Sequence, residues 1–216
     1  MQCIKHAIIS MAGLGSRLGF NTTKGLVKVG EKRIIDYQLE LLDNVEDIRI
    51  VVGFKEKEVM KHVRKIRDDV TFVRNPNFRT TSNSYSIYLA SKDLKDPYLI
   101  IDGDIIINKK DFKSFLKNCN DETIIGVTPS KTEEAVFVSI DDETNTIRSF
   151  QRSPQLHYEW TGIAYLNNIL IPKDQGYVYK ELEKHFPLNY FVLDCYEIDT
   201  EADLELAINN LHTIDL

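Results

Sequence analysis

Short apolar runs alternate with amphipathic helical patterns through the first half of this chain, and that rhythm limits the folds open to it. "HAIIS" (6–10), "DIRIVVG" (47–53), "VTFVRN" (70–75) and "YLIIDGD" (98–104) read as strands. Between them "IIDYQLELL" (34–42), "KEKEVMKHVRKI" (55–66) and "NSYSIYLASKDL" (83–94) carry helical periodicity. Thr81 or Ser82 is placed to cap the third helix, and Asn108 caps "KKDFKSFLKN" (109–118). Strand–helix–strand repetition predicts a mainly parallel sheet with helices on both faces. After about residue 122 the rhythm changes. "ETIIGVT", "AVFVSID", "TIRSFQR" and "YEWTGIAYL" are strand-like, and "DDETN" (141–145) reads as a hairpin turn. A helix near 176–186, the strand "YFVLDCYEI" (190–198) and a helix from Thr200 close the chain. The expected fold is a single Rossmann-like α/β domain over residues 1–216, a mixed sheet flanked by helices with a small antiparallel insertion in the C-terminal half.

Composition narrows the function classes. At 216 residues, 43% of them hydrophobic, the chain can bury a sizeable core. A net charge of −6 argues against broad nucleic-acid binding, while leaving room for a local basic pocket around one small anion. Cys3, Cys119 and Cys195 are scattered, with no metal-ligand spacing, and read as buried thiols of a reducing compartment. The first residues lack a signal peptide's apolar stretch and cleavage site, and no run approaches the roughly 20 residues of a membrane helix. The expected location is the cytoplasm, with no membrane contact.

The stretch "IISMAGLGSRLGFNTTKGL" (8–26) holds the chemistry. A strand ends, Gly13, Gly15 and Gly19 follow, and Arg17 and Lys24 bracket the loop. Bare backbone at a strand end lets N–H groups approach an anion closely. A dinucleotide fingerprint would need glycine at position 18, which is Leu18, and the P-loop spacing is absent. What remains is GxGxRL with a lysine seven residues beyond the arginine.

This pattern resembles the nucleotidyltransferases that activate sugar phosphates, phosphocholine or the erythritol phosphate of isoprenoid synthesis. The resemblance extends along the chain. "NPNFRTTSNSYSIYLA" (75–90) is similar to the stretch after the third strand in bacterial phosphocholine cytidylyltransferases, "LIIDGDIIIN" (99–108) to the family's acidic strand end, and "YEIDTEADLELA" (196–207) to its closing signature. It implies that residues 1–121 bind a nucleoside triphosphate and 122–216 the acceptor. Ala12, Gly13, Gly15 and Ser16 in the loop, with Asn83, Ser84 and Asp102, then face the nucleotide, and Arg17 and Lys24 neutralise the triphosphate and the leaving pyrophosphate.

Carboxylates at Asp102 and Asp104 repel one another unless a cation or solvent separates them, and magnesium carried by a triphosphate suits that role. The resemblance makes Asp104 and Asp199 the Mg2+ ligands. Thr200, with Asp203 three residues on, can cap the last helix and leave Asp199 free. Arg152 in "SFQRSP" (149–154) stands where a lysine often meets the acceptor's phosphate. Tyr158, Trp160 and Gly162 in "HYEWTGIAYL" line the acceptor side by the same resemblance, with Tyr85, Tyr88 and Tyr190 as further aromatic candidates for an ammonium group.

Three departures stand out. Met11 is bulkier than the family's alanine. Thr23 replaces a proline, which predicts a looser loop. The acidic-aromatic stretch that precedes the last strand in choline enzymes has no counterpart. The reading is a Mg2+-dependent cytidylyltransferase joining CTP to a small phosphate or phosphonate acceptor such as phosphocholine, phosphoethanolamine or 2-aminoethylphosphonate. The alternatives are a sugar-1-phosphate enzyme using UTP, GTP or dTTP, and a non-catalytic nucleotide-binding module.

Overall fold

The computed structural model of the protein describes residues 4–19, 21–173 and 176–215. Strand β1 (His6–Ser10) leads through a loop to the ribbon β2 (Lys28–Val29) and β3 (Lys32–Arg33), then helix α1 (Ile34–Leu41). Next come β4 (Asp47–Val52), α2 (Glu56–Val63), β5 (Val70–Arg74), α3 (Asn83–Ser91), β6 (Tyr98–Asp102), β7 (Ile105–Ile107) and α4 (Lys109–Asn118). The second half holds β8 (Ile124–Pro129), β9 (Phe137–Asp141), β10 (Thr146–Gln151), β11 (Tyr158–Leu166), α5 (Val178–Leu182), β12 (Asn189–Val192), β13 (Cys195–Glu197) and α6 (Glu201–Asn210).

Local chemistry accounts for the helices. In α2, Val59 and Val63 sit four residues apart, so they share one face and are fully buried, while Glu56, Glu58 and Lys61 cover the rest. The Asn108 side chain accepts from the amides of Lys110 and Asp111, capping α4 as expected. Thr200 and Asp203 form the expected capping box on α6, with the Asp203 amide 3.2 Å from Thr200 Oγ1 and the Thr200 amide 2.8 Å from Asp203 Oδ2. Ser82 occupies the N-cap position of α3 without a side-chain cap bond, and its hydroxyl donates instead to the Gly176 carbonyl.

The main sheet runs β10-β9-β11-β6-β1-β4-β5, with β8 joined to β11 and β12 joined to β8. β6, β1, β4 and β5 are parallel, and β11 enters antiparallel to β6. β8 to β11 form the expected antiparallel insertion. Strands β1, β4 and β5 step outward in one direction, and the chain then jumps back to place β6 on the other side of β1. The order therefore reverses between β1 and β6, and a crevice opens beyond their carboxyl ends. Ile8, Ile9, Ile50, Leu99 and Ile101 are fully buried in these central strands. Burying each contributes about 1.5–3 kcal/mol to the core beneath the crevice.

Two expected strands are broken. The run 98–104 ends at Asp102, turns at Gly103 and Asp104, and resumes as β7. The run 190–198 splits at Leu193 and Asp194: β12 extends the main sheet, whereas β13 pairs antiparallel with β7 in a separate ribbon. Both breaks have tertiary causes. The Gly103 amide donates to the Ser10 carbonyl (2.8 Å), and a β-carbon at Gly103 would stand 2.5 Å from Met11 Cβ, so only glycine lets the turn press on the end of β1. The Leu193 amide donates to Val127, while the Asp194 amide turns to the Asp111 carboxylate, drawing the chain off the large sheet. The loop before Lys24 is tighter than the missing proline predicts. Thr23 is buried and its hydroxyl donates to the Met11 carbonyl at 3.1 Å, supplying the tie.

Cys119 and Cys195 are buried free thiols, and burial pushes both up to about 12. Cys3 lies outside the described residues. Among the described residues no helix is long and apolar enough to cross a membrane.

Candidate active site

A cleft of about 710 Å³ opens at the carboxyl ends of β1 and β6. Its floor is the Asp102–Ile105 turn, held from below by Gln38 of α1. Gln38 is fully buried, and its Nε2 donates to the carbonyls of Asp102 (2.9 Å) and Ile105 (3.0 Å), gripping both ends of the turn. Among the described residues two buried side-chain polar atoms lack a partner, Gln38 Oε1 and Asp104 Oδ1, and both belong to this turn and its support. An unpaired buried oxygen costs about 1–3 kcal/mol, so the arrangement is maintained against local stability.

The glycine loop forms one wall. Gly15 has φ 61°, a left-handed conformation that favours glycine, and starts the 3-10 turn Ser16–Leu18 that carries Arg17. Ala12 and Gly13 line the cleft, and no atom lies within 4 Å of where a Gly13 β-carbon would be. Packing within the chain therefore does not explain a bare residue there. Ser16 is exposed and is not among the cleft-lining residues.

Two cations and three carboxylates meet at the end of the cleft. Lys24 Nζ lies 2.6 Å from Asp104 Oδ2 and also donates to Asp199 Oδ1. Arg17 Nη2 is 2.5 Å from Asp199 Oδ2, and its other nitrogen reaches towards Glu134 at 3.8 Å. Asp104, Glu197 and Asp199 each bring a carboxylate oxygen within 4.8 Å of the others. The small ribbon makes this meeting: β13 pairs with β7, and the Ile198 amide donates to the Asp104 carbonyl at 2.8 Å.

Glu197 belongs to "YEIDTEADLELA" and has no role in the reading from sequence. Strand alternation puts it on the same side as Asp199, so the signal was present. Desolvation by the surrounding protein, then the charge of Asp104, push Glu197 up to about 7, although its side chain still opens onto solvent in the cleft. Asp102 departs from the expected side-by-side pair. Burial, then Asp104, hold its carboxyl well above the usual range, Asn83 hydrogen-bonds to it, and a β-carbon at Gly162 would stand 2.6 Å from its Oδ2.

The remaining candidates divide. Asn83, Arg152, Trp160 and Gly162 line the cleft. Arg152 is exposed, donates to the Glu134 carbonyl at 2.9 Å and lies over the Tyr179 ring. Trp160 is mostly buried edge-on against Phe150. Ser84 is buried in α3 and Tyr158 packs between His157 and Tyr190, both apart from the cleft lining, as are Tyr85, Tyr88 and Tyr190. Glu133, Glu134, Tyr177, Tyr179 and Phe78 reach the cleft without having been singled out. They stand on loops or at a helix end, where periodicity carries no signal.

Residues 7–166 match the family described as the MobA-like NTP transferase domain. Choline-phosphate cytidylyltransferase of Streptococcus pneumoniae is 38% identical over 115 residues, covering 51% of this chain and 49% of that protein. The chain thus spans about half the length of this curated relative. The solved CTP:phosphocholine cytidylyltransferase from Streptococcus pneumoniae superposes with a TM-score of 0.80 at 25% identity, over 96% of this chain and 100% of that one. The inositol-1-phosphate CTP transferase from T. maritima shares the fold, with a TM-score of 0.79 at 20% identity over 95% and 96% of the two chains.

Proposed function

We propose that this chain, which belongs to the MobA-like NTP transferase domain family, is a cytidylyltransferase acting on CTP and a small phosphate or phosphonate acceptor. The observation that carries the reading is the meeting of Arg17 and Lys24 with Asp104 and Asp199 at the end of the glycine-lined cleft. An acceptor oxygen attacks the α-phosphorus of CTP. The bond from that phosphorus to the bridging oxygen breaks, and pyrophosphate leaves with the electron pair. No covalent enzyme intermediate is needed, so catalysis is positioning and charge neutralisation.

The chain's residues divide the work. Ala12, Gly13 and Gly15 admit the nucleotide against the loop backbone, and Asn83 and Asp102 border it from the floor. Arg17 and Lys24 carry the charge that grows on pyrophosphate. Arg152, Trp160 and Gly162 border the acceptor. The donor set at Asp104, Glu197 and Asp199 is all oxygen, and Asp104 Oδ1 is a buried acceptor without a partner, so the residues fit a hard dication. Asp104 and Asp199 would hold magnesium, with Glu197 beside them. Bound there, the ion would polarise the α-phosphate.

A pyrophosphate-release screen tests this, crossing four nucleoside triphosphates with phosphocholine, phosphoethanolamine, 2-aminoethylphosphonate and sugar 1-phosphates. CTP is expected to exceed the other three by on the order of a hundredfold, because a site built to hydrogen-bond one base edge leaves groups unpaired with another. Equal turnover with UTP or dTTP removes the base assignment. Turnover confined to sugar 1-phosphates moves the chain to that branch, and no release from any pair overturns the reading.

A further inference from the structure

Lys24 stands between the two carboxylates assigned to the metal, and we infer that it is their resident counter-ion, which a free divalent cation must displace and a nucleotide-borne one does not. The inference rests on the proposed metal role of Asp104 and Asp199. Lys24 Nζ holds Asp104 Oδ2 at 2.6 Å and Asp199 Oδ1 together, and all three side chains are less than a fifth exposed. Arg17 occupies the remaining oxygen of Asp199. Those three oxygens already face a cation and the fourth, Asp104 Oδ1, is buried, so a dication that takes Asp199 together with Asp104 must compete with Lys24. Without Lys24, Asp104, Glu197 and Asp199 would crowd like charge into one partly desolvated place.

The loop backbone does not need to move for the exchange. Thr23 is tied to Met11, the Leu26 amide donates to the Thr23 carbonyl and the Val27 amide to the Lys24 carbonyl. Only the Lys24 side chain has to swing. A bare dication offers the ammonium no new partner, so it must compete with an intact ion pair. A dication carried by a triphosphate brings phosphate oxygens that take up the ammonium as the carboxylates take up the metal. The carboxylates are thereby reserved for a cation that arrives with substrate, and entry of metal and nucleotide is thermodynamically coupled.

Mn2+ binding followed by electron paramagnetic resonance tests this on the full chain, without activity. The comparison uses wild type, Lys24→Met and Asp104→Asn, each with and without α,β-methylene-CTP. Without nucleotide, Lys24→Met is expected to bind Mn2+ about tenfold or more tightly than wild type. The analogue should raise wild-type affinity more than that of Lys24→Met, and Asp104→Asn should abolish the site in both conditions. Mn2+ should also raise the Tm of Lys24→Met more than that of wild type, a readout that works if the variant is destabilised. Equal nucleotide-free affinity in wild type and Lys24→Met, lost in Asp104→Asn, overturns the counter-ion role and leaves the metal site standing. Absence of any Asp104-dependent Mn2+ binding, even with the analogue, overturns both.

Discussion

Asp199 directly precedes a helix, where aspartate ordinarily serves as a cap. Here Thr200 and Asp203 satisfy the cap, and the Asp199 carboxylate turns to Arg17 and Lys24. That division was legible in "DTEAD", because a capping box has a fixed three-residue spacing. Asp104 is the opposite case. Its sequence context suggested a strand end, but its position comes from the turn pressed on β1 and gripped by Gln38. Asp104→Asn and Asp199→Asn keep size and remove charge. Polarisation by a bound metal contributes several kcal/mol in the transition state, so steady-state kinetics should show each variant losing on the order of a hundredfold or more in kcat. The double variant should lose little further, since either loss disables the unit. Near-normal activity in Asp199→Asn with a lowered Tm would make Asp199 a structural residue.

At the scale of elements, the site depends on two short pieces that no period could announce. β7 and β13 have three residues each, too few for a pattern, and Cys195 pairs with Ile107 far away in sequence. Glu197 stands opposite Ile105, so their ribbon brings Asp104 of one strand and Glu197 and Asp199 of the other to the same end. The turn before β7 is its vulnerable joint. In Gly103→Ala the new methyl would stand 2.5 Å from Met11 Cβ and 2.8 Å from the Ser10 carbonyl oxygen, backbone that has no room to retreat. Overpacking of this kind costs about 1–3 kcal/mol. Urea denaturation should show that loss, and kcat should fall with it because Asp104 rides on the same turn. Unchanged stability and kcat would mean that the turn yields without moving Asp104.

For the whole molecule, the sheet runs unbroken from the parallel half into the antiparallel half. β11 pairs with β6 from Ile163 opposite Ile101 to Leu166 opposite Tyr98, so residues 1–121 and 122–216 share one core wall. A shared wall makes separate unfolding unfavourable. Circular dichroism, which reports all helices, and fluorescence of the single Trp160 in the second half should therefore trace one coincident urea transition. Separated midpoints would divide the chain into two folding units. The sequence by itself determined the α/β architecture, the glycine loop with Arg17 and Lys24, and the caps of α4 and α6, because periodicity, turn chemistry and capping act over a few residues. Tertiary structure alone decided that Lys24 bridges Asp104 and Asp199, the latter 175 residues from the lysine, that Asp102 sinks beneath Gly162, and that Tyr158 packs away from the cleft while Glu134 and Tyr179 reach it. Those outcomes depend on which distant backbones approach closely enough to hydrogen-bond or collide, and no local pattern encodes that distance.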